Sequence, residues 1–427
     1  MIIGESMEVP RETKKLLRLT TEELLKNYRL RTFHLKEDGD GLVTAEGEEM
    51  MSSFPGMLIG AVPGHLYIYN IDNKRILERD TDIYFPNVYA PFHLFRFFDK
   101  SGNAQTYCVT PTHVLRFLGK ETQVVGQNRG GTCAAVFHER IFTANGERVF
   151  YSKALDGSVW SESRYGGGFL DLNSDMMGEI LGMVPYKDRL YLLRRGGISS
   201  LRALGDELNF KVAHMPMKCG SLVAGSTAIC GEKIGYFTDS GFYLFNGALS
   251  VLAPNSRFAE IDFTKEVKSV SYRGRYYALV TKKEGGKAIY CYNPEWNQAH
   301  FIECNPIDIA VGDELYFARR NLVYTISSQG ICNQFSPYMT AENIAFGIGE
   351  EKILRSIAIE GEGTFSVSIT SNRGRRTVKG NAGEELKLRS PLRGNTFNLK
   401  ISVAIEDADS VRFRALQLYF TEESNDN

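Results

Sequence analysis

Apolar and polar positions along this chain recur as one short unit. An aromatic or aliphatic strand follows a charged or polar turn, and a second strand and another Gly/Asn/Asp turn come after it. The unit reads His65-Leu66-Tyr67-Ile68-Tyr69, Phe92-His93-Leu94-Phe95-Arg96-Phe97, Glu139-Arg140-Ile141-Phe142 and Asp188-Arg189-Leu190-Tyr191-Leu192. It returns as Glu232-Lys233-Ile234-Gly235-Tyr236-Phe237, Gly274-Arg275-Tyr276-Tyr277-Ala278-Leu279 and Asp313-Glu314-Leu315-Tyr316-Phe317. Anchored on Leu66, Phe95, Ile141, Leu190, Ile234, Tyr276 and Leu315, the mean spacing is (315 − 66)/6, about 41 residues, close to the period of a four-stranded propeller blade. A single such sheet cannot bury both faces, but a series of them can bury a continuous core.

The clearest unit spans 178–215, with strands at 180–184, 189–193, 198–202 and 210–213. The stretch 133–162 follows the same plan, its fourth strand expected at Ser158-Val159-Trp160-Ser161. Residues 57–80 and 307–327 are short, and one is expected to complete the other. The pattern predicts an all-β chain with a β-propeller of six or seven blades over 57–328.

After Ser328 the texture changes. Phe365/Val367/Ile369, Leu386/Leu388 and Leu399/Ile401/Val403/Ile405 alternate strictly with polar residues, which predicts a small C-terminal β-sandwich over 329–427, its strands within 338–422. Val411/Phe413 followed by Leu416/Leu418/Phe420 changes phase, so a bulge is expected near Ala415. Residues 1–56 read as a short helical, otherwise irregular N-terminal arm. Its helix is expected over 11–28 from Leu16, Leu17, Leu19, Leu24 and Leu25, with Thr20 and Glu23 as a capping box that starts a second helix.

At 427 residues the chain exceeds one ordinary core. A net charge of −1 offers no basic excess for tight nucleic-acid binding. The seven cysteines are odd in number and lack CxxC spacing, so free thiols in a reducing compartment are expected. No stretch reaches the length of a membrane span and the first residues do not read as a signal peptide, which implies no membrane anchor.

Few motifs point to chemistry. Lys36-Glu37-Asp38-Gly39-Asp40-Gly41-Leu42-Val43 resembles the centre of a calcium loop, but Lys36 and Gly47 occupy the end-ligand positions, so an acidic turn is the reading. Tyr165-Gly166-Gly167-Gly168 opens no helix and precedes no Lys-Ser/Thr, which leaves an inter-blade connection. Asp171 and Asp175 are a candidate carboxylate pair for glycoside hydrolysis. Gly225-Ser226-Thr227-Ala228 lacks the last glycine of a nucleophile elbow, and no two of the seven histidines have ligand spacing. Trp160 and Trp296 suit blade cores or a sugar platform. No catalytic residue, metal or cofactor is assigned. Arg373, Arg375 and Arg376 at a hairpin tip, and Arg194, Arg195, Arg319 and Arg320 at strand ends, are candidate subunit or DNA contacts.

The stretch Phe137 to Ser152 with Trp160, the passage Ile353 to Ile369 and the closing Val411 to Phe420 resemble a group of tailed-bacteriophage structural proteins of the head-to-tail region: packaged-DNA stabilisation, hub or nozzle proteins. The arm at 1–56 does not match the group. The resemblance implies a non-enzymatic virion part of the tail or neck, made in the host bacterial cytoplasm. Its copies would form a homo-oligomeric ring below the portal or adaptor, meet other tail proteins, and retain and channel packaged double-stranded DNA. Near-neutral charge suits DNA that slides without sticking. The other expectation is a carbohydrate-binding or glycan-cleaving propeller, with Trp160, Trp296, Tyr165, Asp171 and Asp175 lining a pocket.

Overall fold

The computed structural model describes residues 14–21, 23–24, 31–33, 35–38, 41–44, 47–53, 58–70, 74–79, 81, 83–163, 166–172, 177–302, 304–319, 322–327, 338–345, 351–403 and 411–422. The chain divides into two compact units, one of residues 49–326 and one of residues 1–48 together with 327–427. Both are built from antiparallel strands.

In the unit of residues 49–326 the strands pair in seven groups of four, taken in chain order as sheets 1 to 7. Their first strands are Leu58–Val62, His93–Phe98, Cys133–Phe137, Ile180–Tyr186, Ala228–Cys230, Lys268–Tyr272 and Asp308–Val311. Two-residue alternation gives every second strand two apolar faces. In sheet 1, Leu66 and Ile68 join Ala310, Ala318 and Val323 of sheet 7, whereas Tyr67 and Tyr69 join Cys108, Leu115 and Phe117 of sheet 2. Each sheet shares a hydrophobic cluster with the next in this way, and the seventh shares one with the first.

Sheet 7 takes only three strands from its own segment, Asp308–Val311, Leu315–Arg319 and Leu322–Ser327. Its fourth is Gly47–Ser53, from the segment expected to be an irregular arm. Residues 58–86 make four strands of their own and need no help from 307–327.

Sheet 3 corrects a second expectation. Its fourth strand is Gly168–Asp171, paired with Arg148–Tyr151, not residues 158–161. Trp160 is 5% exposed and packs with Phe97, Tyr107 and Ile141, while its Nε1 donates to the Gly157 carbonyl at 2.8 Å. Burying that indole folds 152–160 into turns, and the glycine run after it supplies the strand. A Cβ on Gly168 would lie 2.4 Å from the Tyr151 hydroxyl.

In the other unit, one sheet runs Leu35–Asp38, Gly41–Thr44, Arg412–Glu422, Lys352–Glu362, Leu386–Gly394, with Lys14–Thr20 also paired to Arg412–Glu422. The other contains Arg31–Phe33, Tyr338–Ala345, Thr396–Val403, Thr364–Ser371 and Gly374–Asn381. Phe365, Val367, Ile369, Leu399 and Ile401 of one sheet share a core with Leu354, Ile357, Ile359, Leu416 and Leu418 of the other. The expected phase change is present: Glu360 pairs Ala415 but Gly361 pairs Phe413, leaving Arg414 as the bulged residue.

The helix expected over 11–28 is replaced by a strand across Lys14–Thr20, paired residue for residue with 415–421. Leu19 enters the core while Leu16 faces solvent, so pairing with a long strand outweighs helix propensity. The capping box does form. The Thr20 N–H donates to Glu23 Oε2 at 2.8 Å, the Glu23 N–H donates to Thr20 Oγ1 at 3.3 Å, and residues 21, 23 and 24 are helical. Residues 25–28 lie outside the described residues. The calcium-loop look-alike is a hairpin in which Asp38 pairs Gly41.

Candidate functional site

One cavity of about 590 Å³ is lined by residues on, or just before, the first strand of each of the seven sheets of the 49–326 unit. Small residues let those strands approach. A Cβ on Gly182 would meet Thr227 Oγ1 at 2.4 Å.

Apolar walls come from Phe92, Leu94, Phe95, Leu181, Met183 and Val270, and polar groups enter at a few points. Just outside the lining, Asp308, 3% exposed, opens the first strand of sheet 7. Its Oδ1 accepts from Lys268 Nζ at 2.6 Å and from the Ile309 N–H at 2.9 Å, and its Oδ2 accepts from the Ile59 N–H at 2.9 Å. One carboxylate therefore ties sheets 6, 7 and 1. Glu179 is ion-paired with Arg195. The His93 ring is 2.9 Å from the Thr132 carbonyl, and burial, joined by the nearby Lys268 ammonium, pushes its pKa below the usual histidine range. Burial pushes the Cys133 thiol up to about 11, so it lines the cavity as a neutral group. The hydroxyl oxygen of Thr227 is buried and has no partner.

The lining Glu179 and Lys268 are already matched by Arg195 and Asp308, so the cavity presents hydrogen-bonding groups with little uncompensated charge. It can orient a polar, neutral molecule between apolar walls.

The residues singled out in the sequence do not assemble here. Asp171 lies on the outermost strand of sheet 3, clamped by Arg148 at 2.5 and 2.7 Å, and the guanidinium holds its carboxyl below the usual range. Asp175 and Tyr165 lie outside the described residues. Trp160 is core, and Trp296 is 38% exposed on the turn between the last two strands of sheet 6. Ser226 Oγ donates to the Val223 carbonyl at 2.6 Å and accepts from the Phe237 N–H at 3.1 Å, which is a structural role.

Among the arginines, Arg194 is fully buried, donates to the carbonyls of Gly178 and Leu172 and pairs with Glu147 at 3.0 Å, so it is no surface contact. Arg319 covers the Tyr324 ring at 4.4 Å. Arg320 lies outside the described residues. Arg373 pairs with Glu351 at 3.0 Å, and Arg376 donates to Ser390 Oγ at 2.9 Å. Sequence reasoning missed His93, Glu179, Thr227, Lys268 and Asp308. Their signal was a polar residue at or just before the opening of a first strand, visible once the repeats are set in register.

No protein-family model matches the sequence, and no curated protein matches it. Among solved structures, the chain is similar to the dihydro-heme d1 dehydrogenase NirN in complex with DHE, at 13% identity and TM-score 0.38, over 82% of this chain and 80% of that one. It is similar to a fungal alcohol oxidase of the AA5 family in complex with copper, at 9% identity and TM-score 0.41, over 89% of this chain and 100% of that one. It is also similar to a glycoside hydrolase, at 10% identity and TM-score 0.25, over 88% and 96%. These names correct the expectation that the chain is not an enzyme: the structures it is similar to include enzymes, and none of the three is a phage head-to-tail protein. At such TM-scores the likeness says nothing of what this chain binds or converts. Among the described residues, no helix is long and apolar enough to cross a membrane.

Proposed function

We propose that the seven sheets close into a seven-bladed β-propeller, and that the cavity at the openings of their first strands binds a small, neutral, hydroxyl-rich molecule of the sugar class. The observation that carries this reading is the cavity itself. All seven sheets contribute to about 590 Å³, within the range of small-molecule sites, with a few polar groups between apolar walls. A sugar hydroxyl both donates and accepts, and so suits the His93 imidazole, the unpartnered Thr227 hydroxyl and the Glu179 carboxylate already matched by Arg195.

A glycan array followed by calorimetry on the best hit tests this, with a hydrolysis assay on the same sugars. Thr227→Val and Glu179→Gln are expected to weaken binding at least tenfold. If no sugar binds, or if both variants bind like the parent, the reading fails.

A second reading keeps the chain as a copy in a ring of the phage neck, next to portal and packaged DNA. It is favoured by exposed apolar side chains, Leu204 and Leu208 between the last two strands of sheet 4 and Leu249, Val251 and Leu252 at the last strand of sheet 5, which suit a contact between copies. Light scattering of the purified chain, alone and with a portal, tests it: a monomer with no portal affinity speaks against it.

A further inference from the structure

The sheet of Tyr338–Ala345, Thr396–Val403, Thr364–Ser371 and Gly374–Asn381 buries Val367, Ile369, Leu399 and Ile401 on one face. Strand alternation forces the intervening residues onto the other. Register sets Ser368 between Thr377 and Lys400, and Thr370 between Arg375 and Asn398. A cleft of about 210 Å³ lies on this face, lined by Arg375, Lys400, Ser368, Thr370, Asn398 and Glu342 among others.

Both cations are held in place from within the face. An Arg375 Nη donates to Ser368 Oγ at 3.2 Å, and Lys400 Nζ lies over the Tyr338 ring at 4.0 Å. Ser368 and Thr377 hydroxyls are 2.9 Å apart. Arg375, Lys400 and Lys379 outnumber the one carboxylate of the cleft, Glu342, and all three cations are exposed. Like charges gathered on one sheet face are costly unless an anion joins them.

We propose that this cleft binds a sulfate group carried on a sugar chain. The guanidinium and ammonium take the oxyanion, and Ser368, Thr370 and Asn398 take adjoining sugar hydroxyls. Two features favour a sulfated sugar over a nucleic acid. Tyr338, whose ring is shown at this face, is already covered by Lys400 and so offers no free platform for base stacking. Two cations at the cleft are also few for binding driven by counterion release from a phosphate backbone.

The test is a titration of the full chain with a heparin-derived tetrasaccharide, its desulfated form, inorganic sulfate and a DNA oligonucleotide of equal charge, at one ionic strength. The sulfated tetrasaccharide is expected to bind at least tenfold more tightly than each of the others. Arg375→Ala and Lys400→Ala are expected to remove that preference while leaving Tm unchanged, because both side chains are exposed. Lys100→Ala, on the other unit, serves as the charge control and is expected to bind like the parent. Equal binding of the desulfated sugar, a free-sulfate response as strong as the tetrasaccharide's, preference for DNA, or variants that bind like the parent each overturn the proposal.

Discussion

Asp308→Ala is the sharpest perturbation of the 49–326 unit. In the parent, three donors converge on one buried carboxylate: Lys268 Nζ and the Ile309 and Ile59 amides, the last from the neighbouring sheet. Truncation leaves two amides in a region where Ile59 is 1% exposed and Ile309 fully buried. Hydrogen bonds to a charged group contribute about 1.5–3 kcal/mol each. The Lys268 ion pair adds no more than about 1 kcal/mol, because its side chain is 39% exposed and reaches water once released. The expected loss is roughly 4 kcal/mol, or about 8–16 °C in Tm for a unit of this size. Asp308→Asn keeps one acceptor oxygen and is expected to lose roughly half as much. Both tryptophans, Trp160 and Trp296, belong to this unit, so urea unfolding followed by tryptophan fluorescence reports on it alone. A loss under about 1 kcal/mol for Asp308→Ala would falsify the claim that this carboxylate holds sheets 6, 7 and 1 together.

Three further outcomes are expected. Burial holds the His93 pKa below its unfolded value, so its contribution is intact above the unfolded value of about 6.5 and is lost as pH falls from there through the folded value; His93→Gln should flatten the Tm-versus-pH curve in that window. Arg18 Nε and Nη2 clamp the Glu360 carboxylate at 2.5 and 2.6 Å and hold its pKa below the usual range. That contribution is present above the unfolded value of about 4.3 and lost as pH falls through the folded one, so the small Tm deficit of Arg18→Ala at pH 7 should close on acidification. Burial raises the thiol pKa of Cys108, of Cys133 to about 11 and of Cys230 to about 12; in a Cys332→Ser background, a thiol-specific chromogenic reagent should label the half-buried Cys219 well before these three.

Period and alternation were the readable part of this fold. Six of the seven anchors fall on second strands, whose starts at 65, 104, 140, 189, 233, 275 and 315 average (315 − 65)/6, about 42 residues apart. Phe95 is the exception. It lies on a first strand, and the true second strand, Ala104–Val109, was passed over because its opening Ala-Gln-Thr is weakly apolar. The sandwich strands were legible because one face of each is buried, and the bulge at Arg414 because it breaks that alternation. Long-range pairing was not legible: nothing local in Lys14–Thr20 or Gly47–Ser53 names a partner some 275–400 residues away. The site residues were hidden for a related reason. A lysine and a histidine at two separate strand openings look like ordinary turn residues until the sheets bring them to one cavity.

The strand Gly47–Ser53 completes a sheet whose other members lie between 308 and 327. During synthesis, the last sheet therefore waits for its earliest member to be met by its latest, across some 270 residues of chain. Such sequence-distant closure is slow and exposes an unpaired sheet edge in the meantime. Transposing the segment 47–53 to follow residue 327 would make that pairing local. Faster refolding, with less aggregate, is the consequence to look for.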